Sequence, residues 1–169
     1  MKPAAYIALG SNLGLSSQIL VEAMDRLQQL SSAPILRSSL WRSSPVDCPP
    51  GSPDFLNAAA GLTPTAATPE HLLGQLQALE REFGRRPKTV LNEPRPLDLD
   101  LIAWGSETRD TERLRLPHPR AHLRKFVLAP LADIAPNLIL PNQSASITTL
   151  LHRLQSSEVI ERLATPAPA

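Results

Sequence analysis

Residues 95–102 have the sequence RPLDLDLI, in which Asp98 and Asp100 alternate with leucines. Successive side chains of a β-strand point to opposite faces of a sheet, so the alternation predicts a strand with one leucine face and one aspartate face. Two neighbouring carboxylates repel each other unless a cation or a proton neutralises them. The competing interpretation is the solvated face of a half-buried strand, which alternates in the same way.

Hydrophobic periodicity around this strand predicts an α+β fold. The predicted elements are a strand at 5–9, a helix from 16 or 17 to 30 with Ser16 or Ser17 as its N-cap, strands at 35–42 and 54–62, a helix from 68 to 83, the aspartate strand to about 104, and helices at 126–135 and 146–154. This order predicts an antiparallel sheet with helices packed mainly on one face, which leaves the other face for a site. We expect one domain over residues 1–169, with a C-terminal tail from about 156 whose end is disordered.

Composition excludes several classes of protein. The net charge of +1 indicates neither a nucleic acid nor a membrane as partner. The sequence has no apolar stretch of about 18 residues and no obvious signal peptide, so no transmembrane helix is predicted. The single cysteine, Cys48, excludes an internal disulfide and is typical of a reducing compartment. We therefore expect a cytoplasmic protein, and a monomer.

Basic residues are concentrated around the aspartate strand. Residues 81–125 contain 11 of the 17 lysines and arginines but only seven of the 16 acidic residues. A solvated surface could produce this distribution, but arginines around two carboxylates also suit a magnesium–polyphosphate site. The sequence contains neither a Walker A loop nor a GxGxxG motif, so nucleotide binding would depend on arginines and metal.

Four stretches together resemble the 6-hydroxymethyl-7,8-dihydropterin pyrophosphokinase family of folate biosynthesis. They are YIALGSNLG at 6–14, PDFLNAA at 53–59, PRPLDLDLI at 94–102 and LPHP at 116–119. The resemblance spans about residues 4–155 and implies a ferredoxin-like fold. It implies a transferase in which the pterin hydroxymethyl oxygen attacks the β-phosphorus of ATP, so that pyrophosphate moves to the pterin and AMP leaves. The implied partners are ATP and a hydroxymethyl-dihydropterin, and the implied cofactors are two Mg²⁺ ions.

The resemblance also assigns roles to individual residues. The catalytic set is Asp98, Asp100, Arg85 and Arg95, of which Asp98 and Asp100 match the ligands of the two magnesium ions. The remaining ATP-binding positions are Gln77, Glu80, Arg113, His118 and Arg124. The pterin-binding positions are Phe55 and Phe126, which match an aromatic pair around the ring, Asn57, which matches a hydrogen-bonding residue, and Ser43 and Val46, which match a loop beside the ring.

The sequence departs from the family pattern around one loop. Glu93 stands where the family usually has glycine, Asn92 where it often has tryptophan or a basic residue, and Pro119 follows His118 where some members have tyrosine. We expect the segment from about Pro87 to Pro94 to close over bound ATP and exclude water.

Other interpretations of these residues remain open at this point. Phe55 and Phe126 could be core residues, and His118 could face solvent. The chain could be another magnesium-dependent DxD nucleotidyl or glycosyl transferase, which would need neither Phe55 nor Asn57. A non-enzymatic RNA-binding domain on a ferredoxin-like sheet is disfavoured by the net charge of +1 and by only six Phe, Trp and Tyr residues.

Overall fold

The computed structural model describes residues 4–45, 48–85 and 94–163. The strands in these ranges are β1 (Ala5–Ser11), β2 (Leu36–Arg37), β3 (Trp41–Ser43), β4 (Phe55–Leu62), β5 (Asp98–Trp104), β6 (Arg109–Asp110), β7 (Arg115–Leu116) and β8 (Ile160–Arg162). Six of them form an antiparallel sheet in the order β5-β1-β4-β3-β8, with β2 also paired to β4. β6 and β7 form a separate antiparallel pair.

The four α-helices of the same ranges lie within about two residues of their predicted bounds, and a short 3-10 helix was not predicted. They are α1 (Ser16–Gln28), α2 (Pro69–Glu82), a 3-10 helix (Ala121–Leu123), α3 (Lys125–Ile134) and α4 (Ile147–Arg153). The N-cap of α2 is Thr68, whose hydroxyl accepts a hydrogen bond from the backbone N–H of His71 at 3.1 Å. After this helix, Gly84 has a φ of 96°, a left-handed conformation that glycine adopts without strain.

Helices cover both faces of the central sheet, to different extents. On the leucine face, α1 and α2 pack over a core that includes Ile7, Leu99 and Leu101. On the aspartate face, α3 and α4 pack over a second core that includes Ile102 and Ala103. The α+β class is confirmed, and the two longest helices share one face as predicted, but the other face is only partly free.

A β-bulge in β5 explains why the aspartate face needs this second cover. The register shifts so that Ile7 is opposite Leu101 while Tyr6 is opposite Ala103. Ile102 is therefore an extra residue, and both it and Ala103 pack into the second core. The apolar half of this face is buried under α3 and α4, whereas the half that carries the aspartates remains accessible.

Three features differ from the sequence prediction. The strand predicted at 35–42 is divided into β2 and β3, because the hydroxyl of Ser38 replaces a backbone acceptor and binds the N–H of Ala59 at 2.7 Å. The N-cap of α1 is Leu15 and no side chain caps it, so the assignment of Ser16 or Ser17 was wrong. β8 lies in the segment treated as a tail, and neither it nor the β6–β7 pair was predicted.

Parts of two predictions fall outside the described residues. One is the prediction that the end of the tail, TPAPA at 165–169, is disordered. The other is the prediction that the loop with Asn92 and Glu93 closes over ATP. In the ranges that are described, no helix is both long enough and apolar enough to cross a membrane.

Candidate active site

A cavity of about 650 Å³ opens at the accessible half of the aspartate face. Eight residues predicted for the site line it: Ser43, Phe55, Asn57, Arg95, Asp98, Asp100, Arg124 and Phe126. It is also lined by Ala8, Leu9, Gly10, Ser44, Cys48, Arg120, Leu123 and Glu158, which the sequence analysis did not select. Residues from β1, β3, β4, β5 and α3 thus meet around one space, and charged and aromatic side chains share its walls.

The floor of the cavity follows from the strand register. Gly10 of β1 pairs with Asn57 of β4 on one side and with Asp98 of β5 on the other, so the three residues form one row across the sheet. A Cβ atom at Gly10 would lie 3.6 Å from Phe55 Cδ1 and 3.8 Å from Asn57 Oδ1, which is ordinary contact. Glycine is therefore not needed for packing here, but any larger side chain would fill the space between the amide and the carboxylate.

Asp98 and Asp100 lie two positions apart on β5, and both line the cavity, as the alternation predicts. Burial, and then the negative charge of Asp98, raise the pKa of Asp100 to about 7. Two neighbouring carboxylates, one of them buried, favour the binding of a cation. Within the described ranges, no group of three or more His, Cys, Asp and Glu side chains could hold a metal ion. The pair therefore fits Mg²⁺ that takes its remaining ligands from phosphate oxygens and water.

Arg85 and Glu80 bind the aspartate strand, β5, from outside the cavity. Arg85 Nη1 lies 2.5 Å from Asp98 Oδ1 and 3.0 Å from Glu80 Oε2. Glu80 Oε2 also accepts a hydrogen bond from the backbone N–H of Leu99 at 2.9 Å, between the two aspartates. Burial raises the pKa of Glu80 to about 7. Neither residue lines the cavity, so the contacts of Glu80 are with β5 rather than with the space that would hold a nucleotide.

Asn12 fixes the backbone of Arg95. The N–H of Asn12 donates to the carbonyl of Arg95 at 3.1 Å, and the N–H of Arg95 donates to Asn12 Oδ1 at 2.9 Å. Asn12 is buried, and no role was predicted for it from the YIALGSNLG motif. A polar residue at the end of an apolar strand was the available signal.

The Arg95 side chain borders the cavity with a donor that lacks a partner in the described part of the chain. Its Nε is buried and unbonded, 3.9 Å from Asp98 Oδ2. Its guanidinium carbon lies 5.4 Å from the centroid of the Phe55 ring. Because buried donors are nearly always satisfied, an anionic oxygen bound in the cavity is a natural partner for this group.

The other end of the cavity has groups suited to a flat heterocycle. Asn57 donates through Nδ2 to Ser43 Oγ at 2.8 Å and to the carbonyl of Trp41 at 3.2 Å. These bonds fix the amide so that Oδ1, which lies over Gly10, is the atom that can accept from a ligand. Phe55 on β4 and Phe126 on α3 line the same space. Aromatic rings of this kind can stack on a planar ligand.

His118 does not line the cavity but contacts a residue that does, Arg120. Its backbone N–H donates to the carbonyl of Ile102 at 2.8 Å, and its Nδ1 accepts from the N–H of Arg120 at 3.2 Å. Burial, and then the positive charge of Arg124, lower the pKa of His118 to about 4. The imidazole is therefore neutral at neutral pH.

Of the other predicted site residues, Arg113 and Gln77, like Arg85, Glu80 and His118, do not line the cavity. Arg113 Nη2 donates to the carbonyl of Glu70, in the first turn of α2, at 3.2 Å. Gln77 is exposed on α2. Val46 lies outside the described residues. The functional roles of all the predicted site residues remain predictions.

Comparison with known proteins connects this geometry to one family. The sequence model of the family described as 7,8-dihydro-6-hydroxymethylpterin-pyrophosphokinase (HPPK) matches residues 6–136. A 2-amino-4-hydroxy-6-hydroxymethyldihydropteridine pyrophosphokinase of Haemophilus influenzae is 40% identical over 158 residues, which cover 93% of this chain and 96% of that protein. One of the same name from Pseudomonas aeruginosa is 41% identical over 138 residues, covering 81% and 83%. The folic acid synthesis protein fol1 of Pneumocystis carinii is 35% identical, and the match covers 92% of this chain but 21% of that protein.

Solved structures share the fold. The crystal structure of Plasmodium falciparum HPPK-DHPS wild type matches 90% of this chain with a TM-score of 0.68 at 12% identity. The HPPK-DHPS solved in complex with substrates matches 89% of it with a TM-score of 0.65 at 11% identity. This chain spans about two fifths of each of those chains, 41% and 42%. At such low identity these likenesses establish the fold alone.

Proposed function

Since this chain belongs to the 7,8-dihydro-6-hydroxymethylpterin-pyrophosphokinase family, we propose that it transfers pyrophosphate from ATP to the hydroxymethyl group of 6-hydroxymethyl-7,8-dihydropterin and releases AMP. The observation that carries the proposal is one cavity that combines an aspartate pair and arginines with two phenylalanines and a buried amide. Such a cavity can hold a polyphosphate and a planar acceptor side by side. The comparisons give no support to a different DxD transferase or to an RNA-binding domain.

The charged half of the cavity would bind the ATP phosphates. Asp98 and Asp100 would hold two Mg²⁺ ions, which when bound supply neutralisation of the phosphate oxygens. Arg95 and Arg124, which border the cavity, would pair with phosphate oxygens, and the unbonded Nε of Arg95 supports this assignment. Positioning and charge neutralisation are most of what phosphoryl-type transfer requires of a protein.

Arg85 would act on the same half indirectly. It is ion-paired with Asp98 and Glu80, so it fixes the position of the Asp98 side chain before any ligand binds. We propose that it keeps Asp98 ready to accept metal, and that Glu80 serves by holding β5. Arg113, Gln77 and His118 do not line the cavity. The proposal that they contact ATP or cover it rests on the sequence alone.

The aromatic half would bind the pterin. Phe55 and Phe126 would enclose the ring, Asn57 would accept from its polar edge through Oδ1, and Ser43 would keep the Asn57 amide oriented. Val46 is proposed for the same edge from the sequence alone. The hydroxymethyl group would then lie toward the aspartates, because the floor residue Gly10 leaves no side chain between the two halves.

We also propose that the protein is a cytoplasmic monomer built as one domain over residues 1–169. The family match covers residues 6–136. The single cysteine fits a reducing compartment.

The reaction is tested by measuring AMP formation from ATP with and without 6-hydroxymethyl-7,8-dihydropterin, each with and without Mg²⁺. We expect AMP only when pterin and Mg²⁺ are both present, in equal amount to the pterin pyrophosphate formed. AMP formation that ignores the pterin, or none at all from a protein that binds MgATP, would contradict the proposal. Asn142→Ala is the matched control for the site variants below, because this exposed residue does not line the cavity and has no proposed role.

A further inference from the structure

The chain beyond α4 returns to the sheet and forms its outer strand. β8 pairs with β3 in a register that places Ile160 opposite Ser43. The N–H of Ser44 donates to the carbonyl of Val159 at 3.2 Å, and the N–H of Leu163 donates to the carbonyl of Leu40 at 2.9 Å. This segment therefore borders the same loop and strand that form the aromatic half of the cavity.

Glu158, the second residue before β8, is the part of this segment that lines the cavity. Its Oε2 accepts a hydrogen bond from the backbone N–H of Phe126 at 3.3 Å, across 32 residues of sequence. Phe126 lines the cavity from α3. The Glu158 carboxylate is thus hydrogen-bonded to the main chain of Phe126, a residue that lines the cavity.

The start of α3 needs such a partner. Its N-cap is Arg124, which makes no side-chain capping bond, so the N–H of Phe126 has no side-chain acceptor from the N-cap. Phe126 occupies the second position of the helix, and a negative charge there is also favoured by the helix dipole. Glu158 therefore supplies from a distant segment the cap that the helix's own sequence does not provide.

β8 does not depend on this carboxylate for its attachment. Arg162 pairs with Asp133 of α3 and stacks on Trp41 with its guanidinium carbon 4.9 Å from the ring centroid. Asp133 also accepts from Trp41 Nε1 at 3.0 Å. Removing the Glu158 carboxylate should consequently leave the strand in place and change only the bond to Phe126.

We propose that Glu158 is a positioning residue for the acceptor ring: by capping α3 it holds Phe126 in place on the wall of the cavity, and the C-terminal strand is thereby part of the acceptor-binding site. The inference deepens the function proposed above and rests on it. The bond itself joins Glu158 to the main chain of Phe126 at the aromatic half. The guanidinium carbon of Arg124, proposed for the phosphates, lies 5.5 Å from the centroid of the Phe126 ring, so the larger effect is expected on the pterin and a smaller one on ATP.

The test compares Glu158→Ala and Glu158→Gln with the wild-type enzyme, measuring KM for the pterin, KM for ATP, kcat and pterin affinity by fluorescence titration. We expect Glu158→Ala to raise the pterin KM and Kd by about 5- to 20-fold, from loss of one hydrogen bond to a charged acceptor, with the ATP KM within about twofold. Glu158→Gln keeps an acceptor oxygen and should recover most of the affinity. The matched control is Glu161→Ala, which removes an exposed carboxylate of β8 that pairs with Arg42 at 3.8 Å.

A double-mutant cycle with Phe126→Leu shows whether Glu158 acts through the ring. If it does, Glu158→Ala should change pterin affinity by less than about twofold once the ring is gone. An unchanged pterin affinity in Glu158→Ala, equal losses for pterin and ATP, or additive effects in the cycle would overturn the inference while leaving the reaction intact. A wild-type enzyme that binds no pterin would overturn the proposed function, and this inference with it.

Discussion

At the scale of single residues, Asp100 should destabilise the metal-free protein above about pH 7. The folded state retains a proton on Asp100 up to about pH 7, whereas an unfolded aspartate releases it near pH 4. Between these values the folded state binds more protons, so this residue's contribution to stability falls as the pH rises. The cost exists because the carboxylate is buried beside Asp98, and bound cations would remove it.

Asp100→Asn is therefore expected to stabilise the metal-free protein and abolish its activity. The free energy of unfolding, measured by urea titration, should exceed that of the wild type at pH 8 by about 1 kcal/mol or more, with a smaller difference at pH 5. Turnover should fall by more than about 100-fold, because a metal ligand is lost. A variant that unfolds more easily than the wild type at pH 8 would show instead that the aspartate serves the structure.

Asn12→Ala tests whether the buried amide positions Arg95. Loss of the hydrogen bond from Arg95 N–H to Asn12 Oδ1 leaves a donor unsatisfied and should cost about 1–2 kcal/mol of stability. A loosened Arg95 should also raise KM for ATP more than KM for the pterin, as steady-state kinetics would reveal. Equal effects on both substrates would count against a role for Asn12 in the phosphate half. The control is Asn142→Ala at an exposed position.

At the scale of elements, the junction of α2 and β5 determines where the aspartates lie. β5 is an edge strand of the central sheet, so the outward N–H of Leu99 has no strand partner, and Glu80 accepts it. The same carboxylate binds Arg85, which binds Asp98. With one side chain, Glu80, the helix thus satisfies the sheet edge and fixes the strand proposed to bind metal.

Glu80→Ala should lower the free energy of unfolding by about 1–3 kcal/mol, because it leaves the Leu99 N–H and one side of Arg85 unpaired. Glu80→Gln keeps an acceptor for Leu99 and should lose less. Urea unfolding at pH 8 measures both changes, and kcat should follow the same order. If the two variants were equally stable and only ATP binding changed, Glu80 would be a nucleotide contact, as its position in the family pattern implies.

The elements also show which structural features a sequence can predict and why it does not predict the others. The alternation in RPLDLDLI predicted the face that Asp98 and Asp100 share, because a strand's geometry fixes side-chain direction. β8 was missed since its three residues, Ile160–Arg162, are mostly polar and gain strand structure only from the edge of β3. Glu158 could not be identified either, because its contact with Phe126 is made across 32 residues and leaves no periodic signal in the sequence.

At the scale of the whole molecule, two cores on opposite faces of one sheet explain how the cavity forms. The leucine face is fully covered by α1 and α2, while α3 and α4 cover the other face only as far as the β5 bulge. The accessible remainder is the cavity. Sequence alone predicted a free face but not its limit, because the bulge at Ile102 depends on pairing with β1.

The proposed monomer can be tested by mass and by dilution. Sedimentation velocity should give the mass of a single 18.4 kDa chain, and specific activity should not depend on protein concentration. A stable dimer whose activity falls on dilution would mean that a second chain contributes to the site.

The proposed site is tested most directly by a crystal structure with Mg²⁺, a non-hydrolysable ATP analogue and the pterin bound together. We expect metal on Asp98 and Asp100, phosphate oxygens on Arg95 and Arg124, and the pterin ring between Phe55 and Phe126 with its edge on Asn57. Metal ions or nucleotide bound away from the aspartate pair, or a pterin outside the two rings, would contradict it.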